Sequence, residues 1–221
     1  MINKILTKME DAFSGLKDGA TIMVGGFGGS GIPHDLIDCL VQQDAKDLVI
    51  ITNNAGSGET GIAALLKARR VRKIICSYPR MADSHHFETL YRSKQIELEL
   101  VPQGNLAERI RAQGAGLGGF FTQTAYGTLL AHGKETRLIN GKHYVFETPL
   151  AADFALIRAL RADRYGNLIY RKAARNFGPV MATAAKTTIV QVSEIVEIGE
   201  IDPETVVTPG IFVKHVALVR G

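Results

Sequence analysis

The sequence has no tryptophan, two cysteines and seven prolines among 221 residues, and neither sign of charge dominates it. Cys39 and Cys76 stand far apart and outside any metal-ligand spacing, which excludes a disulfide framework and favours a reduced, cytoplasmic setting. Neither thiol reads as a nucleophile. Against 22 acidic residues there are 26 basic ones, a net charge of +4 that is too evenly mixed for a nucleic-acid surface but suits anionic small substrates. No apolar run approaches the roughly 20 residues of a membrane-spanning helix. The opening MINKILTKMEDAF has no uninterrupted apolar core and carries Glu10 and Asp11, which argues against a signal peptide. Internal repeats, low-complexity tracts and flexible linkers are also missing.

What remains is an ordinary globular composition, 46% apolar and 22% charged, with ample length for a core. Ile5, Met9, Ala12, Phe13 and Leu16 recur at helical spacing and predict an amphipathic helix near 4–16. Alternating units follow: strands at 21–24, 48–52, 73–77 and 96–101, and helices near 34–43, 60–68, 84–92 and 106–113. The short nonalternating strands LVIIT and KIICS suit a parallel sheet covered on both faces. From Gly114 the pattern changes to the glycine-rich GAGLGGFF. TRLINGKHYVFE then places Asn140-Gly141 between two strand-like runs, a hairpin signal. Apolar runs at Phe154, Thr187 and Gly210 extend the sheet. The fold class is therefore α/β, a parallel Rossmann-like sheet with a small antiparallel hairpin lobe, expected as one domain over 1–221.

The most informative segment is DGATIMVGGFGGSGIP, from Asp18 to Pro33, in which the apolar Ile22, Met23 and Val24 run straight into a glycine loop. Glycine at Gly25, Gly26, Gly28, Gly29 and Gly31 removes the Cβ atoms that would hold an anionic ligand off the backbone. The alternative is a tight strand-to-helix turn whose glycines serve packing. Gly26, Gly28 and Gly31 also spell the dinucleotide fingerprint G-x-G-x-x-G. A nicotinamide site requires an acid after the next strand, however, and LVIIT ends in Asn53 and Asn54. A phosphate-clamping loop lacks its Gly-Lys-Ser/Thr, and a serine hydrolase lacks its G-x-S-x-G elbow despite Ser30 and Ser57.

The same segment resembles the signature of the family I CoA-transferases at every fixed position: Asp18-Gly19, the apolar Ile22 to Val24, Gly25-Gly26-Phe27, Gly31 and Pro33. The likeness covers nearly the whole chain. Asn53-Asn54-Ala55-Gly56, VPQGNLAERIRAQGAG from Val101, YRKAARNFGP from Tyr170 and VTPGIFV from Val207 are similar to blocks of the A subunits of 3-oxoacid CoA-transferases. Within that family, Cys76-Ser77-Tyr78-Pro79-Arg80 and the stretch from Asn53 to Glu59 look more like the 3-oxoadipate enzymes than the acetate or acetoacetate ones.

The resemblance implies CoA transfer from succinyl-CoA to a 3-oxo acid, with 3-oxoadipate favoured over acetoacetate or acetate, by ping-pong chemistry through an enzyme glutamyl-CoA thioester. The coenzyme A thioester is then a substrate, and no tightly bound cofactor or metal is expected. The family carries its nucleophilic glutamate in a Ser-Glu-Asn-Gly motif of the B subunit, and this sequence has no such motif. A B subunit is thus the expected partner, in a heterodimer or heterotetramer. Gly25, Gly26, Phe27, Gly28, Gly29, Ser30 and Gly31 become the element facing CoA or substrate. Asn53 and Gln103 align with family amides whose neutral donors suit an oxygen gaining charge. Otherwise Asn53 caps the next helix and Gln103 bonds backbone in its loop.

Other residues carry weaker readings. Asn54 is a secondary candidate at the same site, and Glu59 is the local acid to consider if the split site is wrong, although helix dipoles favour acids near helix starts. Glu108 pairs with Arg109 or Arg111 on a helix surface. Arg171, Lys172 and Arg175 either hold a substrate carboxylate or CoA phosphate, or face solvent or another subunit. His85-His86 invites a metal or base reading, which the ~100° divergence of adjacent helical residues disfavours. From other classes, a nicotinamide-dependent oxidoreductase would bind NADH tightly, and a noncatalytic sensor would bind an effector without CoA turnover.

Overall fold

The computed structural model describes residues 2–219. Its first half alternates strand and helix: β1 (Thr21–Val24), α1 (His34–Val41), β2 (Leu48–Ile51), α2 (Ile62–Lys67), β3 (Val71–Cys76), α3 (His85–Arg92), β4 (Glu97–Leu100) and α4 (Gln103–Gly114). A small sheet follows, from β5 (Phe120–Thr122), β6 (Thr136–Ile139) and β7 (Lys142–Glu147). The chain then returns through β8 (Ala152–Asp163), β9 (Leu168–Ile169), α5 (Gly178–Ala184), β10 (Ala185–Val196) and β11 (His215–Leu218).

The main sheet runs β11-β10-β8-β1-β2-β3-β4, with every neighbour in that path parallel and β9 antiparallel to β8. Its strands bury side chains on both faces, which is why β2 reads as an unbroken apolar run. Ile22, Val24, Ile50 and Ile74 pack under α1, α2 and α3, with Leu36, Leu40, Leu65, Leu66, Phe87 and Leu90. Met23, Ile51, Ile75, Ala155 and Ile157 face the other way and meet Leu106, Ile110 and Met181 from α4 and α5. At the β4 edge Glu97 is exposed, while Glu99 is half-buried with Lys73 Nζ 2.7 Å away.

The first four strands step away from β1 in one direction, and β8, β10 and β11 step away in the other. The order therefore reverses between β1 and β8, where open α/β sheets form a ligand crevice beyond the carboxyl ends of their strands. The glycine loop leaves β1 at that point, its first amide fixed by Gly25 N donating to Leu156 O at 2.9 Å.

Two expectations need correction. The helix near 4–16 does not form; Met9–Phe13 makes a short 3-10 turn. Lys4 and Leu6 instead join the sheet edge, with Leu6 N donating to Val216 O and Val216 N donating to Lys4 O, both at 2.8 Å. Those backbone groups are unavailable to a helix. The fourth expected helix begins three residues earlier than its apolar periodicity suggests, so Gln103 is the first residue of α4 rather than a loop residue. The Asn140-Gly141 hairpin is present as β6 and β7, with Ile139 opposite Lys142. The glycine-rich GAGLGGFF ends in β5, and α5 carries Pro179 in its first turn, a helix-start signal that the apolar periodicity does not reveal.

Ile74→Ala opens a cavity at a fully buried position in the central sheet. It is expected to cost about 2–5 kcal/mol in denaturant unfolding. At Asp153 the Lys186 ammonium and the Thr21 amide, 2.9 and 3.0 Å from its carboxylate, hold the pKa below the ordinary aspartate value. A depressed carboxylate stabilises above its unfolded pKa, ~3.9, and loses that contribution as pH falls through the folded value. Unfolding followed from pH 6 into that range should show a shallower acid limb for Asp153→Asn than for the parent.

Candidate active site

The carboxyl ends of β1, β2 and β3 and the start of α4 meet around a cavity of about 420 Å³ lined by Phe27, Gly28, Asn53, Asn54, Ser77, Tyr78, Met81 and Gln103. Phe27 and Gly28 of the glycine loop are thus brought together with Asn53 and Gln103, whereas Gly25 and Gly26 do not line the cavity.

Asn53 is the centre of the arrangement. Its Oδ1 accepts from Gln103 Nε2 at 2.8 Å and from Ser77 Oγ at 2.9 Å, while its backbone carbonyl accepts from Tyr78 N at 3.0 Å. These bonds lock the residue leaving β2 to those leaving β3 and opening α4. With the carbonyl end doubly engaged, Asn53 Nδ2 has no partner among the described residues and remains a fixed donor. Asn53 does not cap a helix, and Gln103 bonds a side chain rather than backbone. Asn54 folds onto its own loop, its Oδ1 accepting from Gly56 N at 3.0 Å.

The glycine loop is more ordered than a bare cradle. Phe27 N donates to Ser30 O and Ser30 N to Phe27 O, both at 3.0 Å, so Gly28 and Gly29 form the tip of a two-residue hairpin. The amides of Phe27 and Ser30 are therefore engaged with each other and do not serve a ligand. Phe27 is half exposed and faces the cavity instead.

On the other side of the hairpin lies a second cavity, about 520 Å³, lined by Gly29, Ser30 and Gly31 together with Arg158, Arg171, Lys172 and Ser193. Three cationic side chains without a lining carboxylate can hold a carboxylate or phosphate by charge-assisted bonds. Arg175 does not line it. Asn176 Nδ2 donates to Ser30 O at 3.1 Å, tying the hairpin to the Lys172–Arg175 turn.

Behind the cavity a charged cluster fastens α4. Glu147, almost fully buried, lies 2.7 Å from Lys134 Nζ and accepts from Asn105 Nδ2 at 3.1 Å; Arg109 reaches Glu99 at 3.0 Å and Glu147 at 3.7 Å. This links the small sheet and β4 to the helix that presents Gln103. Arg109 is accordingly an interior residue, while Glu108 pairs with Arg111 at 2.7 Å on the surface.

No carboxylate lines the Asn53 cavity among the described residues. Glu59 lies outside that lining, ion-paired with Lys67 at 2.8 Å, and its carboxyl is lowered to about 2, chiefly by Lys67 and then His86. Burial pushes the Cys76 thiol up to about 12 and raises Cys39 as well, which leaves neither as a ready nucleophile. The adjacent His85 and His86 rings lie 4.0 Å apart and both reach Glu59, contrary to the divergence expected of a regular helix. Ser77, Tyr78, Met81, Arg158 and Ser193 line the two cavities without standing out as site residues in the sequence. Ser77 was open to discovery, because it follows β3 as Asn53 follows β2.

The coenzyme A transferase family model matches residues 6–218. The A subunit of the 3-oxoadipate CoA-transferase of Pseudomonas putida is 62% identical over 221 residues, which cover 100% of this chain and 96% of that protein. Succinyl-CoA:3-ketoacid coenzyme A transferase 2, mitochondrial, of Homo sapiens is 44% identical over 219 residues, covering 91% of this chain and 42% of that protein. Among solved structures, an acyl-CoA transferase of E. coli O157:H7, a thioester complex with CoA, superposes with a TM-score of 0.85 at 23% identity. It covers 99% of this chain, which spans 47% of that one.

Gly31 adopts φ +77°, and a Cβ there would lie 2.8 Å from Ala174 O and 3.0 Å from Ala174 Cα. Gly31→Ala should therefore cost at least about 2 kcal/mol of unfolding free energy, from left-handed strain plus displacement of the Lys172–Arg175 turn. Gly29→Ala, with open space around its Cβ and no positive φ, should leave stability within about 0.5 kcal/mol of the parent.

Proposed function

The chain belongs to the coenzyme A transferase family, and on that premise we propose that it is the A subunit of a cytoplasmic enzyme moving CoA from succinyl-CoA to 3-oxoadipate. The observation that carries this reading is the cavity itself: fixed amide donors and a glycine hairpin at the strand ends, with no lining carboxylate among the described residues. Such a cavity can hold and polarise an acyl group but lacks an attacking acid.

The acid comes from a B subunit. Its glutamate attacks the succinyl-CoA carbonyl and expels CoA thiolate, giving a mixed anhydride; the thiolate then takes the glutamyl carbonyl, releasing succinate and leaving a glutamyl-CoA thioester. The acceptor carboxylate repeats the two steps in reverse order, and the glutamate is regenerated as the new acyl-CoA departs. Each attack places negative charge on a carbonyl oxygen. Asn53 Nδ2, pinned by Ser77 and Gln103, is oriented to donate to such an oxygen without reorganising.

The human relative, in which this chain's counterpart occupies 42% of the length, supports a site completed by a second polypeptide of comparable size. The 3-oxoadipate assignment rests on the likeness to the Pseudomonas putida protein, and another 3-keto acid is the second acceptor to consider, given the name of the human one.

The isolated chain should show no transfer, and mixing it with its B subunit should restore turnover, fastest with 3-oxoadipate in a panel including acetoacetate and acetate. Transfer by the chain alone would refute the split site. In the reconstituted pair Asn53→Ala should lower kcat by ~10²–10³ with a smaller change in KM, the pattern of a lost transition-state donor.

A further inference from the structure

Apart from the proposed reaction cavity, one cluster among the described residues brings three ligand-type side chains together. Glu59 Oε1 lies 3.0 Å from His85 Nε2 and 3.0 Å from His86 Nε2, and the three ligand atoms all fall within 4.8 Å of one another. The two rings can converge because His85 is the first residue of α3, preceded by the nonhelical Ser84.

The surrounding contacts hold the cluster in shape. Ser57 Oγ donates to Ala82 O at 2.7 Å and Gly58 N to Asp83 O at 2.9 Å, clamping the Glu59 loop to the segment that opens α3. Asp83 takes the left-handed φ of +61°, and its Oδ1 lies 3.0 Å from His85 Nδ1. A carboxylate on one imidazole nitrogen, leaving the other free to bind, is the arrangement that orients metal-bound histidines.

The same contact poses a charge problem. A neutral imidazole has one N–H, and if Asp83 takes it at Nδ1, the lone pair on His85 Nε2 faces the Glu59 oxygen at 3.0 Å. Two acceptors at that distance repel unless something positive lies between them. An added proton on His85 is one solution, and a metal cation is the other.

We propose that Glu59, His85 and His86 form a site for one first-row divalent cation of the Zn(II) class, with Asp83 orienting His85. Ligands ~2.0–2.1 Å from zinc stand roughly 3.3 Å apart in a tetrahedron. The two Glu59–histidine spacings of 3.0 Å therefore need to open by a few tenths of an ångström, and the two histidine nitrogens, within 4.8 Å of each other, need to close by at most about 1.5 Å through rotation of the exposed His85 and the half-buried His86. Water completes the coordination. Lys67, on Glu59 Oε2, adds an opposing charge that weakens the site without blocking Oε1. The bound ion fastens the loop after Asn53 and Asn54 to the segment containing Met81, both of which border the reaction cavity.

The test titrates the tag-free, chelator-stripped full chain with ZnCl2 by calorimetry and with CoCl2 by visible absorption. One equivalent should bind, and Co(II) should give the intense d–d bands of a low-coordinate site. His85→Gln and His86→Gln should each weaken binding at least tenfold, Asp83→Asn should weaken it by ~10–100-fold, and Lys67→Met should tighten it several-fold. These surface substitutions are checked for native circular dichroism. The absence of saturable binding by the parent chain, or affinity undiminished in the double histidine variant, would overturn the proposal and leave a protonated His85 as the bridging charge.

Discussion

The burial of β1, β2 and β3 on both faces is the constraint from which the site follows. A parallel sheet enclosed between helices offers its chemistry mainly at strand ends, because the apolar residues inside its strands pack against the covering layers. Continued past the strand ends, the register of those strands brings Gly25, Asn53 and Ser77 to the same edge. From there the Asn53 amide joins three consecutive units through hydrogen bonds to Ser77 and Gln103. The position of one amide thus depends on the packing of the whole first half of the chain.

Much of this was legible in the sequence. Nonalternating runs such as LVIIT identify covered parallel strands, and the glycines after Val24 identify a loop leaving the first strand. What escaped depends on contacts between distant residues. Nothing local to Ile5 or Leu6 shows that the edge of β11 captures their backbone before a helix can form. Nor does the periodicity of α4 show that Gln103 is helical, since its first turn buries no apolar residue before Leu106. The glycine loop is an exposed turn, as its composition implies, but not a set of free amides, because the Phe27–Ser30 pairing is a property of the folded hairpin.

Charge is distributed with a clear separation of tasks. Carboxylates such as Glu147 and Glu99 are matched to Lys134, Lys73 and Arg109 and hold α4 against the small sheet and β4. Cations without such matches among the described residues, Arg158, Arg171 and Lys172, surround the far side of the glycine hairpin. The Asn53 cavity is lined by neutral donors and apolar surface. A neutral lining stabilises an oxygen that becomes anionic only transiently, whereas a fixed cation there would also favour a resting carboxylate and deepen the ground state.

The self-paired amides of Phe27 and Ser30 have one more consequence. A loop rich in glycine ordinarily loses much conformational entropy when a ligand immobilises it. Here two backbone bonds and the Asn176 tether have already removed that freedom within the chain itself. On the proposed function an arriving thioester would meet a rigid wall, and more of its contact energy would remain available for affinity.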